Sequence, residues 1–333
     1  MATIKDVAKR AGVAISTASY ALNGSTKVSE ATIERVLKAA KELNYQKNGF
    51  ASDLKRTKTN TIALILSDMS GPYFSELIKG VQEGASGNQY DLIACSSLGG
   101  ERSTATKFLR EKRADGAIIL ANNISTSIIE ESARSDMPIV VLDRDVENPF
   151  AIHIEVDNKK GAYEVTEYLI QNGHETIGYI SGPPESHDNE ERFKGFSDAL
   201  KDNNLPFQSR LKITGDFTRE GGYRATKLLI AQQKLPDALF YANDEMAIGG
   251  LQAFDEKGIR VPEDISIVGF DDIQLAEYVS PPLTTVRQPK YEAGALSVHM
   301  IFQMLAGEEV DRSFHLPTEM IVRQSVKNKK LSD

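Results

Sequence analysis

A single cysteine, Cys95, stands in the whole chain, so an internal disulfide is excluded and a reducing cytoplasm is the expected compartment. It follows the apolar DLIA and reads as a small buried hydrophobe. Long apolar runs are also missing. The longest, such as GAIILA and MPIVVL, are strand-sized, against the roughly 18 residues of a spanning helix, so no membrane association is expected. The N-terminus carries Lys5, Asp6, Lys9 and Arg10 without an apolar stretch, and no secretory signal is expected there.

Catalytic signatures are scarce as well. HETIG at His174 begins like a zinc-protease motif, but position 178, where the second histidine belongs, is Gly178. Neither a phosphate loop with Gly-Lys-Ser/Thr nor a GxSxG nucleophile elbow occurs. The five histidines are scattered, and Asp271 and Asp272 are adjacent rather than spaced as an acid–base pair. An enzyme is not expected, nor a cofactor or a metal site.

What the chain has is size and an uneven distribution of charge. At 333 residues it exceeds what one core usually supports, and 41% hydrophobic with 26% charged residues is a globular composition. The net charge of −8 conceals a division: residues 1–58 hold eleven Lys/Arg against five acids, leaving the remainder at −14. A basic head on an acidic body suggests a polyanion partner for the head alone.

The head begins with two very short amphipathic segments, TIKDVAKRAG and VAISTASYALNG. Thr3 is placed to cap a helix with Asp6 reaching back; Ile4, Val7, Ala8 and Ala11 then share a face and Gly12 ends it. A second helix fits Ile15 to Leu22, turning Ala18, Ala21 and Leu22 inward, with Asn23-Gly24 as its stop. A third fits Ser29 to Leu43, with Ile33, Val36, Leu37 and Ala40 inward. Three short helices with a tight glycine turn between the first two describe a helix-turn-helix domain.

After residue 60 short Ile/Val/Leu-rich runs (TIALIL, YDLIAC, DGAIIL, MPIVVL, TIGYI, PDALFY, DISIVGF) alternate with helical patterns such as Tyr73–Gly84, Lys159–Asn172 and Glu191–Asn203. Such alternation implies parallel sheets covered on both faces. Two successive sets predict two doubly wound α/β lobes, with ligands near the strand carboxyl ends and between the lobes.

On the segments TIKDVAKRAGV, STASYALNG, VSEATIERVLKAAKELNY, ASDL, RFKGF, YANDEMAIGGL, VGFDD and PPLTTVRQP, the chain resembles the lactose-repressor (LacI) family of bacterial transcription regulators over nearly its whole length. Nucleoside- and purine-type repressors of that family begin in nearly the same way. The resemblance implies an all-α helix-turn-helix head followed by a two-lobed body like that of periplasmic binding proteins. The implied divisions are a DNA-binding domain at 1–46, a hinge at 47–59 and an effector-binding and dimerisation domain at 60–333. Within the last, one lobe spans about 60–157 plus 290–318 and the other about 158–289 plus 319–333.

The resemblance further makes the second helix the recognition helix. Ile15, Ser16 and Tyr20 match base-reading positions, Ile15 suiting a thymine methyl and Ser16 a polar base edge, while Thr17 matches a phosphate or structural position. Thr3 and Asn23 complete the implied DNA-facing set of the head. Leu54 matches a wedge that enters the minor groove, with Lys55 and Arg56 beside it to meet phosphate. In the body, Asp68, Tyr73, Phe74 and Asp143 would line one side of the crevice. Arg192, Phe217, Asn243 and Asp271 would line the other. This chain departs from the family at Ala14, usually a capping serine, at Ala18, usually valine, and at Ser52, often arginine; Asp53 adds a negative charge near DNA.

The expected molecule is a homodimeric repressor that grips a pseudo-palindromic double-stranded operator under control of a small effector. The mixed polar set favours a sugar or sugar derivative acting as inducer. Corepressor-dependent control, of the purine or catabolite-control type, is the alternative. A sugar carrier without DNA function would share the body and have no use for the basic head.

Overall fold

In the computed structural model, which describes residues 2–25, 27–45, 58–142 and 144–331, Thr3 opens the first helix, α1 (Ile4–Ala11), with a reciprocal cap. Its hydroxyl accepts from the Asp6 N–H while the Asp6 carboxylate accepts from the Thr3 N–H at 2.8 Å. Gly12 ends α1 in the left-handed region, φ 65°, where a side chain would be strained. Helix α2 (Ile15–Leu22) starts at Ala14 with no side-chain cap, so neither Ser16 nor Thr17 takes over the missing serine's role. Helix α3 (Glu30–Glu42) follows Ser29.

The core of this unit is small: Val7, Ala8, Ala11, Ala18, Ala21, Val36, Ala39 and Ala40 are buried. One inward assignment fails. Leu37 is 50% exposed, and Ala39 is buried in its stead. At about 100° per residue the buried face runs from Ala39, about 60° to one side of Val36, to Ala40, about 40° to the other; Ile33 is half-buried at its edge and Leu37, about 100° round on that side, lies beyond it.

The chain divides at Thr59, and residues 60–333 form the body. Strands β1 (Thr61–Leu66), β2 (Asp91–Ser96), β3 (Gly116–Leu120), β4 (Ile139–Val141) and β5 (Ala151–Val156) alternate with helices α4 (Tyr73–Gly87), α5 (Thr104–Arg110) and α6 (Thr126–Ser132). They form a six-stranded parallel sheet in the order β11-β5-β4-β3-β1-β2, where β11 (Ser313–Leu316) returns from the far end of the chain. Helix α12 (Lys290–Leu305) comes back with it and packs along α4. The approach needs glycine on both helices. A Cβ on Gly80 would stand 2.2 Å from the Tyr291 carbonyl oxygen, and one on Gly294 would stand 2.4 Å from that of Leu77.

The second lobe contains α7 (Asn158–Gln171), β6 (Ile177–Ser181), α8 (His187–Asp202), β7 (Lys212–Thr214), α9 (Arg219–Ala231), β8 (Ala238–Tyr241), α10 (Asp244–Asp255), β9 (Ser266–Val268) and α11 (Leu275–Tyr278). Its sheet is parallel in the order β7-β6-β8-β9. A parallel bridge from Val268 to Thr284 leads to the antiparallel pair β10 (Thr285–Arg287) and β12 (Glu319–Ile321). Aromatic rings of Tyr179, Phe196, Phe240 and Phe270 fill its core. The chain passes between the lobes three times: after β5, before α12 and after β11. The first and third passages lie together, where the Asp157 N–H donates to the Leu316 carbonyl at 3.0 Å. The strand carboxyl ends of both lobes face this hinge region, and the candidate polar residues follow from that.

Candidate nucleic-acid interface and ligand crevice

Among the head residues, Ile15 (48% exposed), Ser16 and Tyr20 (43% exposed) all stand outward on α2, while Ala18 and Ala21 carry its packing. An exposed isoleucine and tyrosine on an eight-residue helix cost solvation in the free protein; such a face suits apolar and edge-on contact with bases. Thr17 is half-buried. Thr3 is engaged as the α1 cap, and Asn23 closes α2, its amide 3.5 Å from the Ser19 hydroxyl. Leu54, Lys55 and Arg56 lie outside the described residues, as does Asp143.

In the body, the second lobe's polar side chains are drawn together around Arg192. Its residue is 3% exposed, and α8 places it at the ends of β8 and β9. The guanidinium donates to Asn158 Oδ1 at 2.8 Å and to the Ala242 carbonyl at 2.6 Å, lies 3.6 Å from Asp271 Oδ1, and sits 4.0 Å over the Phe270 ring. Gln288 donates to Asp271 Oδ1 at 2.6 Å and accepts from the Tyr73 hydroxyl at 3.3 Å. Tyr73 belongs to the first lobe, so this chain of hydrogen bonds runs from one lobe to the other.

Lys290, the first residue of α12 and 3% exposed, completes the knot. Its ammonium donates to the Asp271 carbonyl, reaches the Asp272 carbonyl at 3.4 Å and lies 3.6 Å from Glu76 on α4. Asp271 and Asp272 both occupy the left-handed half of backbone space, φ 119° and 49°. Conformations of that kind persist only where surrounding contacts hold them, and they gather at ligand sites and switches. Burial pushes the Asp271 carboxyl up to about 6 despite Arg192, Lys290 and Gln288, which favour its charged form. Burial and the Asp271 charge likewise raise the Tyr73 phenol. Beneath them Asp244 is fully buried, accepting from the Thr285 hydroxyl at 2.6 Å and the Ile273 N–H at 3.0 Å, and burial raises its pKa well above the ordinary value.

Other candidates prove differently employed. Asn243 spends both polar ends on structure: Oδ1 caps α10 at the Met246 N–H, and Nδ2 holds the Phe217 carbonyl at 3.0 Å. That clamp fixes Phe217 at φ 65°, with its ring over Gly182, where a Cβ would come within 2.3 Å of it. The ring lies 5.9 Å from the Arg192 guanidinium, so platform and cation share one corner. Asp68 is exposed and turned to its own loop, accepting from the Ser70 N–H at 2.8 Å, and Phe74 packs edge-on to Tyr73 beside the first lobe's core. Arg192, Asp271, Phe217 and Tyr73 are therefore assembled, and Asp68 is not among them.

Sequence reasoning overlooked Asn158, Asp188, Gln288 and Lys290. Asp188 accepts from Asn158 Nδ2 at 3.1 Å and lines the same interior. A signal existed: Gln288 lies within the quoted PPLTTVRQP, next to its closing Pro289, and Lys290 follows it directly, at the passage between lobes. The space enclosed by Tyr73, Leu120, Asn158, Asp188, Gln288 and Lys290 is about 20 Å³, room for about one water. As it stands, that space is too small for a sugar ring or a purine.

Residues 3–48 match the family described as bacterial regulatory proteins, lacI family, and residues 166–326 match the periplasmic binding protein-like domain. The chain is 37% identical over 332 residues to the HTH-type transcriptional repressor PurR of Photobacterium profundum, covering 98% of this chain and 99% of that one. Among solved structures, the lac repressor dimer bound to operator and the anti-inducer ONPF superposes with a TM-score of 0.75 at 28% identity, covering 98% of this chain and 99% of that one. A LacI family regulator from Enterococcus faecium with bound ribose gives 0.74 at 28% identity, covering 80% and 99%.

Proposed function

Since the chain belongs to the LacI family of bacterial regulatory proteins and is a DNA-binding transcriptional repressor, we propose that a small ligand held between the body lobes sets its grip on operator DNA. The observation that carries this is the path Tyr73–Gln288–Asp271, which joins the lobes through two hydrogen bonds, with the Arg192 guanidinium 3.6 Å from its Asp271 end. A ligand that pairs differently with the closed and parted lobes shifts their balance; one that binds both equally shifts nothing. Two copies, each with one head, would bind half-sites about one helical turn apart.

Full-length similarity to repressors named PurR favours corepressor control of the purine type over the sugar inducer suggested by the polar residues alone. The Phe217 ring beside Arg192 supplies a platform for a flat heterocycle. A sugar reading keeps one specific support, the carboxylates of Asp188 and Asp271 on the same interior, which suit ligand hydroxyls, as does the ribose-bound neighbour. Thermal-shift titration with purine bases, nucleosides, monosaccharides, disaccharides and sugar phosphates separates the two, followed by operator titration with each ligand that binds. A purine that tightens operator binding supports the first reading, and a sugar that loosens it supports the second. Ligands that bind without changing operator affinity would end both.

A further inference from the structure

Tyr20 stands at the last turn of α2, and the chain folds back on it immediately. The N–H groups of Asn23 and Ser25 both donate to its carbonyl, at 3.2 and 3.0 Å, and the Lys27 N–H then donates to the Ser25 hydroxyl at 3.3 Å. This turn brings the Lys27 ammonium to 5.6 Å from the centroid of the Tyr20 ring. Among the described residues of this unit, the ion pair formed is Arg10 with Glu42, so Lys27 is left to the ring.

We propose that Lys27 is a positioning residue for Tyr20: by holding one face of the ring it presents the phenol to the DNA in one orientation, and so sharpens the choice of base there. The proposal rests on the reading of Tyr20 as a base-facing side chain. The physical need is plain. A phenol on an exposed helix end has two rotatable bonds, and a side chain that swings meets several bases about equally. An ammonium within about 6 Å of a ring face is attracted by its quadrupole, and at exposed sites this corresponds to roughly a 2- to 5-fold preference. The same ammonium keeps its charge toward solvent and adds one cation for a phosphate.

The test uses the full-length protein. Binding-site selection first defines the operator and the position that responds to Y20A. Affinities for the selected site and for its single-base variants at that position are then measured across a salt series for wild type, K27M, K27R, Y20A and the Y20A/K27M double variant. K27M is expected to lose about 2- to 5-fold discrimination at that one position, with K27R restoring it. The slope of log affinity against log salt should fall by about one in K27M, with or without Tyr20. Discrimination should respond to K27M only while Tyr20 is present. Equal weakening by K27M on every sequence would overturn the proposal, leaving Lys27 as a phosphate contact. An unchanged selected motif in Y20A would instead remove the base-facing reading beneath it. Matching unfolding midpoints for the variants guard against loss of fold.

Discussion

Replacing Arg192 by leucine should unsettle the body in a pH-dependent way. Leucine keeps apolar contact with Phe270 and removes the charge, the donor to Ala242 and the donor to Asn158. Removing one partner of a buried ion pair costs about 3–5 kcal/mol, because the other charge is left without compensation. At about 2–4 °C per kcal/mol for a large domain, the unfolding midpoint should fall by roughly 6–20 °C near pH 7.5. Asp271 has a way out, which fixes the direction of the pH effect. Its carboxyl is already raised in the folded state, with Arg192 the strongest influence holding it down. Without Arg192 it takes up a proton more readily than in the unfolded chain. A raised carboxyl lowers stability once it must ionise, so stability is recovered as pH falls through its folded value toward the ordinary 3.8. The R192L deficit should therefore shrink between pH 7.5 and pH 5, and adding D271N should remove much of it at pH 7.5. Calorimetric unfolding of the full chain at both pH values decides the matter. A deficit below about 1 kcal/mol, or one identical at the two pH values, would refute the reasoning, since such a pair would not be buried in the sense described.

Other expected outcomes are independent of that pair. Tyr20→Ala should alter the preferred base at one operator position in a selection assay; an unchanged motif with uniformly weaker binding would count against its base-facing role. Leu54→Ala should lower affinity for the operator by more than affinity for random duplex, because a wedge acts only in a bent complex; equal losses in parallel titrations would dismiss the wedge. Gly294→Ala places a Cβ 2.4 Å from the Leu77 carbonyl oxygen, which should cost about 1–3 kcal/mol as α4 and α12 are forced apart. Urea unfolding at wild-type stability would show that the helices adapt.

Much of the architecture was legible because hydrophobic period and capping chemistry act locally. Thr3 with Asp6, the stop at Gly12, the bounds of α2 and the two α/β sets needed no tertiary information. Strand β5 was harder to see: in AIHIEV the polar His153 and Glu155 interrupt the apolar run that marked its neighbours. Leu37 misled because apolarity was read without its angular position. In the site, residue type alone did not reveal that Asn243 caps α10 and holds the Phe217 carbonyl. Lys290 escaped notice for the opposite reason. A lone lysine in sequence reads as surface, and only the convergence of α12, Glu76 and the Asp271–Asp272 backbone makes it an interior tie. Positions set by long-range crossings leave little local trace.

The late return of α12 and β11 to the first lobe bears on how the protein is made. That lobe's sheet face carries Ile62, Leu64, Ile118 and Ile152, and these are covered in part by Ala293, Val298, Met300 and Ile301. While the ribosome is still adding the second lobe, the earlier one therefore stands unfinished, with a strand-wide apolar surface bare and the β5 edge unpaired. Such a nascent chain is a natural client for chaperones. A stop codon between residues 158 and 290 would therefore leave the first lobe without α12 and β11 as well as cutting short the second.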